Sequence, residues 1–159
     1  MTTLAITLAD AAHTERAGRA LAPVLAGGMC VELHGDLGAG KTTLVRGVLR
    51  GLGHEAAVKS PTYAVVEHYQ FSSLYFYHFD FYRFADPGEW ETAGFSEYFR
   101  DDALCIVEWP EKVAGLLPPP DLALTLAMHD DGSPGRRLVA HATTAAGEHA
   151  LRALRTIRD

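Results

Sequence analysis

Eight consecutive residues carry the strongest chemistry in the sequence. Gly35-Asp36-Leu37-Gly38-Ala39-Gly40-Lys41-Thr42 fits G-x-x-x-x-G-K-[ST] at every position. Glycines let successive main-chain N–H groups turn inward around phosphate oxygens, so Asp36, Leu37, Gly38, Ala39 and Gly40 act through their backbone rather than their side chains. A helix starting at the end of the motif adds the partial positive charge of its N-terminus. In such a loop the Lys41 ammonium reaches the β and γ phosphates and the Thr42 hydroxyl ligates Mg²⁺. The alternative is an accidental glycine-rich turn before a helix. The sequence has no Asn, and Gln70 is its single Gln. A guanine-reading N-K-x-D and a water-positioning Gln after D-x-x-G are therefore both excluded. By elimination the expected ligand is ATP with Mg²⁺.

A phosphate loop needs a carboxylate at the end of a neighbouring strand to hold the metal. Leu104-Cys105-Ile106-Val107-Glu108 has four apolar residues followed by an acid, and Glu108 would emerge where open α/β sheets place ligands. The other reading of Glu108 is a solvated acid at a strand end. Asp80 is the second acid. Leu74, Phe76, His78, Asp80 and Tyr82 share one face of an alternating segment, with Tyr75, Tyr77, Phe79 and Phe81 on the other. An acid in so apolar a stretch needs a partner, either a metal or a structural cation such as Arg83. Lys41, Asp80 and Glu108 form the candidate catalytic set, and Thr42, Asp80 and Glu108 the candidate metal ligands. His78 reads as a structural histidine and stays outside the catalytic set. Lys59-Ser60-Pro61-Thr62-Tyr63 is either a plain turn or a switch whose Thr62 ligates Mg²⁺ while the γ-phosphate is present.

The elements that position these groups follow from periodicity and punctuation. Thr3–Leu8 reads as a strand, and Asp10 as the N-cap of a helix running to about Leu25. Met29–His34 is a strand entering the glycine loop, and Thr42–Leu52 the helix leaving it. Ala64–Phe71 and Leu74–Phe81 form a hairpin. A short helix covers Pro87–Ala93, a buried strand Ala103–Glu108. Asp121–Met128 and Arg137–Thr143 form a second hairpin, and Ala145–Ile157 a closing helix. Strand and helix alternate early and antiparallel pairs come late. The expectation is an α/β fold, a P-loop NTPase-like mixed parallel/antiparallel sheet with helices on both faces, in one domain over residues 1–159.

Composition agrees with a globular chain: 159 residues, 48% hydrophobic, 21% charged. A net charge of −6 offers no cation excess for binding nucleic acid unaided. Cys30 and Cys105 are far apart in sequence and read as small buried hydrophobes. No signal peptide or bilayer-length apolar stretch is evident, so the expected location is the cytoplasm, with no membrane partner. Nine of the fifteen Phe, Trp and Tyr residues fall between Tyr69 and Phe84. They fill a sheet covered on both sides, or some face outward as a docking surface. Arg152, Arg155 and Arg158 share a helix face, read as solvated rather than as a tRNA contact.

The blocks G-D-L-G-A-G-K-T-T (35–43), V-K-S-P-T-Y (58–63), Y-H-F-D-F-Y-R (77–83), A-D-P-G-E (85–89) and V-E-W-P (107–110) occur in an order that resembles the TsaE family, also known as YjeE, of small bacterial ATPases. The resemblance covers about Leu8 to Glu148 and is strongest from Gly35 to Pro110. It implies a role in forming N6-threonylcarbamoyladenosine (t6A) at position 37 of tRNAs that read codons starting with A. The family protein binds a TsaB–TsaD heterodimer and uses ATP hydrolysis to reset it, meeting tRNA only indirectly. Carried onto this sequence, Lys41 holds phosphates and Thr42 and Glu108 hold magnesium. Thr43, Asp80 and Trp109 support the site, and Ser60 and Thr62 lie in the switch-like loop. Adenine contacts fall near Thr14 and on Arg136 or Arg137. Two other classes stay open on the residues alone: a small P-loop kinase acting on a metabolite, and a nucleotide-sensing module that does not hydrolyse ATP.

Overall fold

The strand that opens the chain, β1 (Thr2–Leu8), alternates exposed and buried residues, and the chain then turns at Asp10. The Asp10 carboxylate accepts a hydrogen bond from the His13 amide at 2.9 Å and so caps α1 (Ala11–Leu21). The computed structural model describes residues 2–58, 61 and 65–157 of the chain. The α-helix stops earlier than the expected Leu25. Pro23 has no N–H to continue the ladder, and Ala22–Val24 tightens into a 3₁₀ turn. After β2 (Cys30–His34) the glycine loop runs straight into α2 (Lys41–Gly51). A hairpin of β3 (Val66–Phe71) and β4 (Leu74–Asp80) follows, then the single-turn α3 (Glu89–Thr92) and β5 (Ala103–Glu108). The hairpin of β6 (Leu122–Ala127) and β7 (Arg136–Ala142) leads to α4 (Ala145–Leu154), capped by the Thr144 hydroxyl.

Among the described residues, seven strands form one sheet in the order β1-β7-β6-β2-β5-β4-β3. Its centre is parallel: β2 pairs with β5 and with β6, and β5 pairs with β4. The flanking pairs β1–β7, β6–β7 and β3–β4 are antiparallel. This is the mixed sheet that alternation early and hairpins late call for.

Two cores lie on the two faces. Leu44, Val45, Val48 and Leu49 of α2, with Ala17 and Leu21 of α1 and Leu151 and Leu154 of α4, pack on Val31, Leu33, Phe76, Leu104 and Ile106. The opposite face is covered by shorter elements. There Trp90 of α3, Phe95 and Val113 pack with Tyr77, Phe79, Phe81, Cys105 and Val107. All six residues of β5 are buried, as a central strand sandwiched between two cores requires. The aromatic-rich hairpin is therefore mostly core. Phe76, Tyr77, Phe79, Phe81 and Phe84 are buried, while Tyr82 is exposed. Truncating a side chain such as the fully buried Phe79 to alanine would cost about 3–5 kcal/mol.

Cys30 and Cys105 stand opposite one another in the β2–β5 register as free, buried thiols. Burial pushes the Cys30 thiol up to about 12 and the Cys105 thiol higher still, so both behave as small hydrophobes. On α4, Arg152 is exposed, as is Arg155 just beyond it; Arg158 lies outside the described residues. No helix among the described residues is long and apolar enough to cross a membrane.

Helix α1 approaches α2 through glycine. A Cβ added to Gly47 would sit 2.0 Å from the Glu15 carbonyl oxygen, and one added to Gly18 2.2 Å from that of Leu44. This close crossing brings the N-terminal turn of α1, with Asp10 and Thr14, alongside the glycine loop.

Candidate functional site

Strand register builds the site. Leu33 of β2 pairs with Glu108 of β5, and Glu108 with Asp80 of β4, so the three lie in one row at the C-terminal edge of the sheet. Gly35 opens the loop just beyond that edge. Period-two alternation puts Phe76, His78 and Asp80 on the same face, the one against which α2 packs. The two acids read from sequence are thus neighbours, on the side from which Lys41 projects.

The loop has the backbone its glycines permit. Gly35, Gly38 and Gly40 have φ of 148°, 82° and 106°. The Lys41 side chain is only 6% exposed. Its Nζ donates to the Gly35 carbonyl at 2.5 Å, stands 4.0 Å from Glu108 Oε1 and lies 3.9 Å from the centroid of the Trp109 ring. Burial lowers the Lys41 pKa, while the Glu108 and Asp80 carboxylates oppose that shift. The Lys41 Nζ is thus buried beside two carboxylates at the mouth of the loop.

The carboxylates differ in their partners. Glu108 is 2% exposed, and its Oε2 lies 2.5 Å from Nε2 of the fully buried His78. Asp80 is half-buried, and its Oδ1 accepts the Tyr82 amide at 2.9 Å. Desolvation raises the Asp80 pKa, and the neighbouring Glu108 charge raises it further. Two acids side by side and short of water form a donor set that a divalent cation relieves. With the Thr42 hydroxyl on the same cleft, they fit Mg²⁺ bound together with phosphate oxygens rather than in an all-protein cage.

Trp109 is the one described residue other than glycine with positive φ, at φ 55° and ψ 50°. Such a conformation costs about 1 kcal/mol or more and persists where surrounding contacts hold it. Here it turns the indole over Lys41 and against Tyr82, whose ring centroid is 4.9 Å away.

Two clefts meet over the loop. One, of about 250 Å³, is lined by Lys41, Thr42, Thr43, Asp80, Glu108 and Trp109. The other, of about 150 Å³, is lined by Asp10, Thr14, Ala39, Thr43, Gly135 and Arg136. Gly38, Gly40 and Thr43 border both. The first brings one cation, Lys41, together with the two acids, as a triphosphate–metal unit needs, and the second adjoins it across the loop. Thr14 is buried there, its methyl 3.7 Å from where a Gly40 Cβ would stand. Arg136 reaches the loop through main chain: its guanidinium donates to the carbonyls of Ala39 and Gly38, each at 3.1 Å, and to that of Gly135 at 2.7 Å. Arg137, next along β7, is exposed. Asp36 and Leu37 are exposed, Leu37 at 61% on the rim of the phosphate-side cleft. Ser60 and Thr62, the switch-like residues, lie outside the described residues.

Three further residues shape the site. His78 is buried and hydrogen-bonded, as a structural histidine is expected to be, and its partner is the metal-candidate Glu108. The signal was its place on the Asp80 face, two residues before that acid. The glycines Gly18 and Gly47 carry no chemistry, but they set how near α1 stands to the loop.

Comparison with known proteins adds independent findings. A family model described as Threonylcarbamoyl adenosine biosynthesis protein TsaE matches residues 8–138. A protein of Haemophilus influenzae named tRNA threonylcarbamoyladenosine biosynthesis protein TsaE is 48% identical over 119 residues, covering 75% of this chain and 68% of that protein. One of the same name from Bacillus subtilis is 39% identical over 104 residues, covering 65% of each. The matches thus span about two thirds of these relatives' length. The crystal structure of YdiB from Bacillus subtilis superposes with a TM-score of 0.81 at 26% identity, over 99% of this chain and 97% of that one.

Proposed function

The chain belongs to the TsaE family of tRNA threonylcarbamoyladenosine biosynthesis proteins, and from that premise we propose that it is a Mg²⁺-dependent ATPase serving t6A formation. It acts as one domain over residues 1–159, in the cytoplasm, by engaging and resetting a TsaB–TsaD heterodimer, and it meets tRNA only through that complex. The observation that carries the reading is the placement of the Lys41 ammonium between the Gly35 carbonyl and Glu108, on the wall of the phosphate-side cleft.

Each residue has a role that its surroundings support. Backbone amides from Asp36 to Thr43 and the N-terminus of α2 cradle the phosphates. Lys41 neutralises the β and γ oxygens. Thr42, Asp80 and Glu108 hold Mg²⁺, which supplies charge neutralisation at the transferring phosphoryl group. Trp109 shields the ammonium from water, which strengthens its interaction with phosphate. Thr14 and Arg136 border the base-side cleft, where adenine would lie. For Thr62, outside the described residues, the role rests on the sequence alone: it would ligate Mg²⁺ while the γ-phosphate is present. Among the described residues the phosphate-side cleft holds no second cation aimed at the phosphates. Slow turnover alone and faster turnover with a partner that supplies the missing group are therefore expected.

Phosphate release measured with and without the TsaB–TsaD heterodimer tests this reading, with t6A content of tRNA as the second readout. The expected result is partner-stimulated release of inorganic phosphate, reduced about 10²-fold or more in Lys41→Ala and Thr42→Ala proteins that keep their circular dichroism. Undiminished t6A formation by Lys41→Ala would overturn it. So would a phosphorylated small molecule as the product in phosphorus NMR.

A further inference from the structure

We propose that His78 is a positioning residue: its imidazole, protonated on Nε2 and bare on Nδ1, holds the Glu108 carboxylate with one oxygen pinned and the other turned toward Lys41. The inference rests on the reading of Glu108 as a carboxylate of the ATP site and adds a residue that the reading did not contain.

Three observations carry it. Register places His78 opposite Ile106 and Asp80 opposite Glu108, so the histidine sits one row behind the two acids on the same face. Both partners are withdrawn from water: His78 is fully buried and Glu108 is 2% exposed. His78 Nε2 meets Glu108 Oε2 at 2.5 Å, leaving Oε1 at 4.0 Å from Lys41 Nζ. A carboxylate with two equivalent oxygens would otherwise rotate about its terminal torsion, whose energy profile is broad. With Oε2 bound, Oε1 has one orientation.

The proton's position follows from the remaining nitrogen. His78 Nδ1 is buried and has no hydrogen-bond partner among the described residues. A proton there would be a donor stranded in an apolar core, an expensive arrangement. With Nδ1 protonated and Nε2 bare, imidazole and carboxylate lone pairs would also face each other. The neutral ring carrying its proton on Nε2 makes the one available bond and strands no donor. Arrangements in which a buried partner fixes a reacting carboxylate act on rate more than on binding, because small misplacements matter at the transition state.

The test pairs two variants with one spectroscopic measurement on the full chain. His78→Phe keeps a ring but donates nothing; His78→Gln restores an N–H donor on a shorter chain. With the TsaB–TsaD heterodimer present, His78→Phe is expected to lower kcat for phosphate release at least about tenfold with KM for ATP changed by less than about threefold. His78→Gln is expected to regain most of that loss. A Phe variant with unchanged kcat, or a Gln variant no better than Phe, overturns the proposal. Nitrogen-15 NMR of histidine-labelled protein without nucleotide reads the tautomer directly. A pyrrole-type Nε2 and pyridine-type Nδ1 at His78, perturbed by Glu108→Gln, support it, and a protonated Nδ1 overturns it. If the wild-type protein hydrolyses no ATP, the functional reading fails while the spectrum still decides the positioning role.

Discussion

Asp80 and Glu108 stand opposite one another on adjacent parallel strands, yet one is tied to main chain and the other to a buried side chain. Asp80 accepts the Tyr82 amide, and Glu108 meets His78. The pairing concentrates negative charge at the edge of the phosphate-side cleft. It also gives the two acids different freedom: Asp80 is half-buried and borders the cleft, while Glu108 is locked beneath Lys41.

On the proposed ATP site, that difference is expected to divide the work between them. Asp80→Asn retains a carbonyl oxygen for the Tyr82 amide and loses only charge. It is expected to weaken the Mg²⁺-dependent part of ATP affinity by roughly 10–100-fold, leaving metal-free affinity unreduced. Glu108→Gln is expected to act mainly on kcat. Calorimetric ATP titrations with and without Mg²⁺, set beside phosphate release, check both. Equal losses of Mg²⁺-dependent affinity in the two variants would remove the distinction.

A second consequence concerns stability. Gly47 of α2 lies against the Glu15 carbonyl and, 3.0 Å from where its Cβ would be, the Cα of Gly18. Gly47→Ala forces the two helices apart, because the obstructing atoms are backbone and cannot rotate away. Helix propensity alone favours the alanine by about 1 kcal/mol. The expected result is nevertheless a net loss of about 2–3 kcal/mol in urea unfolding, since overpacking against main chain outweighs propensity. A stabilised Gly47→Ala protein would show that the helices can separate at little cost.

How much of this was legible in the sequence depends on how local the signal is. The strand, glycine loop and helix around Lys41 could be read because each is fixed by its own residues: an apolar run, glycines with left-handed φ, then a helix former. The faces of β4 could be read because alternation is strictly local. The His78–Glu108 contact could not, since it joins residues 30 apart and exists only through the parallel register of β4 and β5. Arg136 touches Ala39 across 97 residues for the same reason. Helix α1 ends short of the expected Leu25 because Pro23 tightens its last turn into a 3₁₀ turn, a change that periodicity does not register.

The His34–Glu32 pair gives stability a pH dependence of definite sign. His34 Nε2 lies 3.1 Å from Glu32 Oε1, and that bond is the main cause of a raised His34 pKa; burial and Lys41 oppose it, and Glu111 adds to it. A raised folded-state pKa means the folded protein holds the proton more tightly than the unfolded chain. The added stability is therefore complete below the unfolded value of 6.5 and is lost as pH rises through the folded value. Unfolding free energies of wild type and Glu32→Gln at about pH 5.5 and about pH 8.5 check it, the excess at the lower pH being at most about 1 kcal/mol for a half-buried pair that solvent still reaches. A wild-type advantage that grows with pH would contradict the assignment.

Arg136 links the far hairpin to the phosphate loop. Its planar guanidinium donates to the Gly38 and Ala39 carbonyls together, which ties the loop to the start of β7. Arg136→Ala is expected to weaken Mg²⁺·ATP binding about tenfold, or about 1.4 kcal/mol, through a looser loop rather than a lost charge. Arg136→Lys keeps the charge but cannot span two carbonyls in one plane, so it should recover only part of the loss. Calorimetry on the three proteins separates the readings. Full recovery by lysine would mean that the cation itself, and not the fork that grips the loop, is what ATP binding uses.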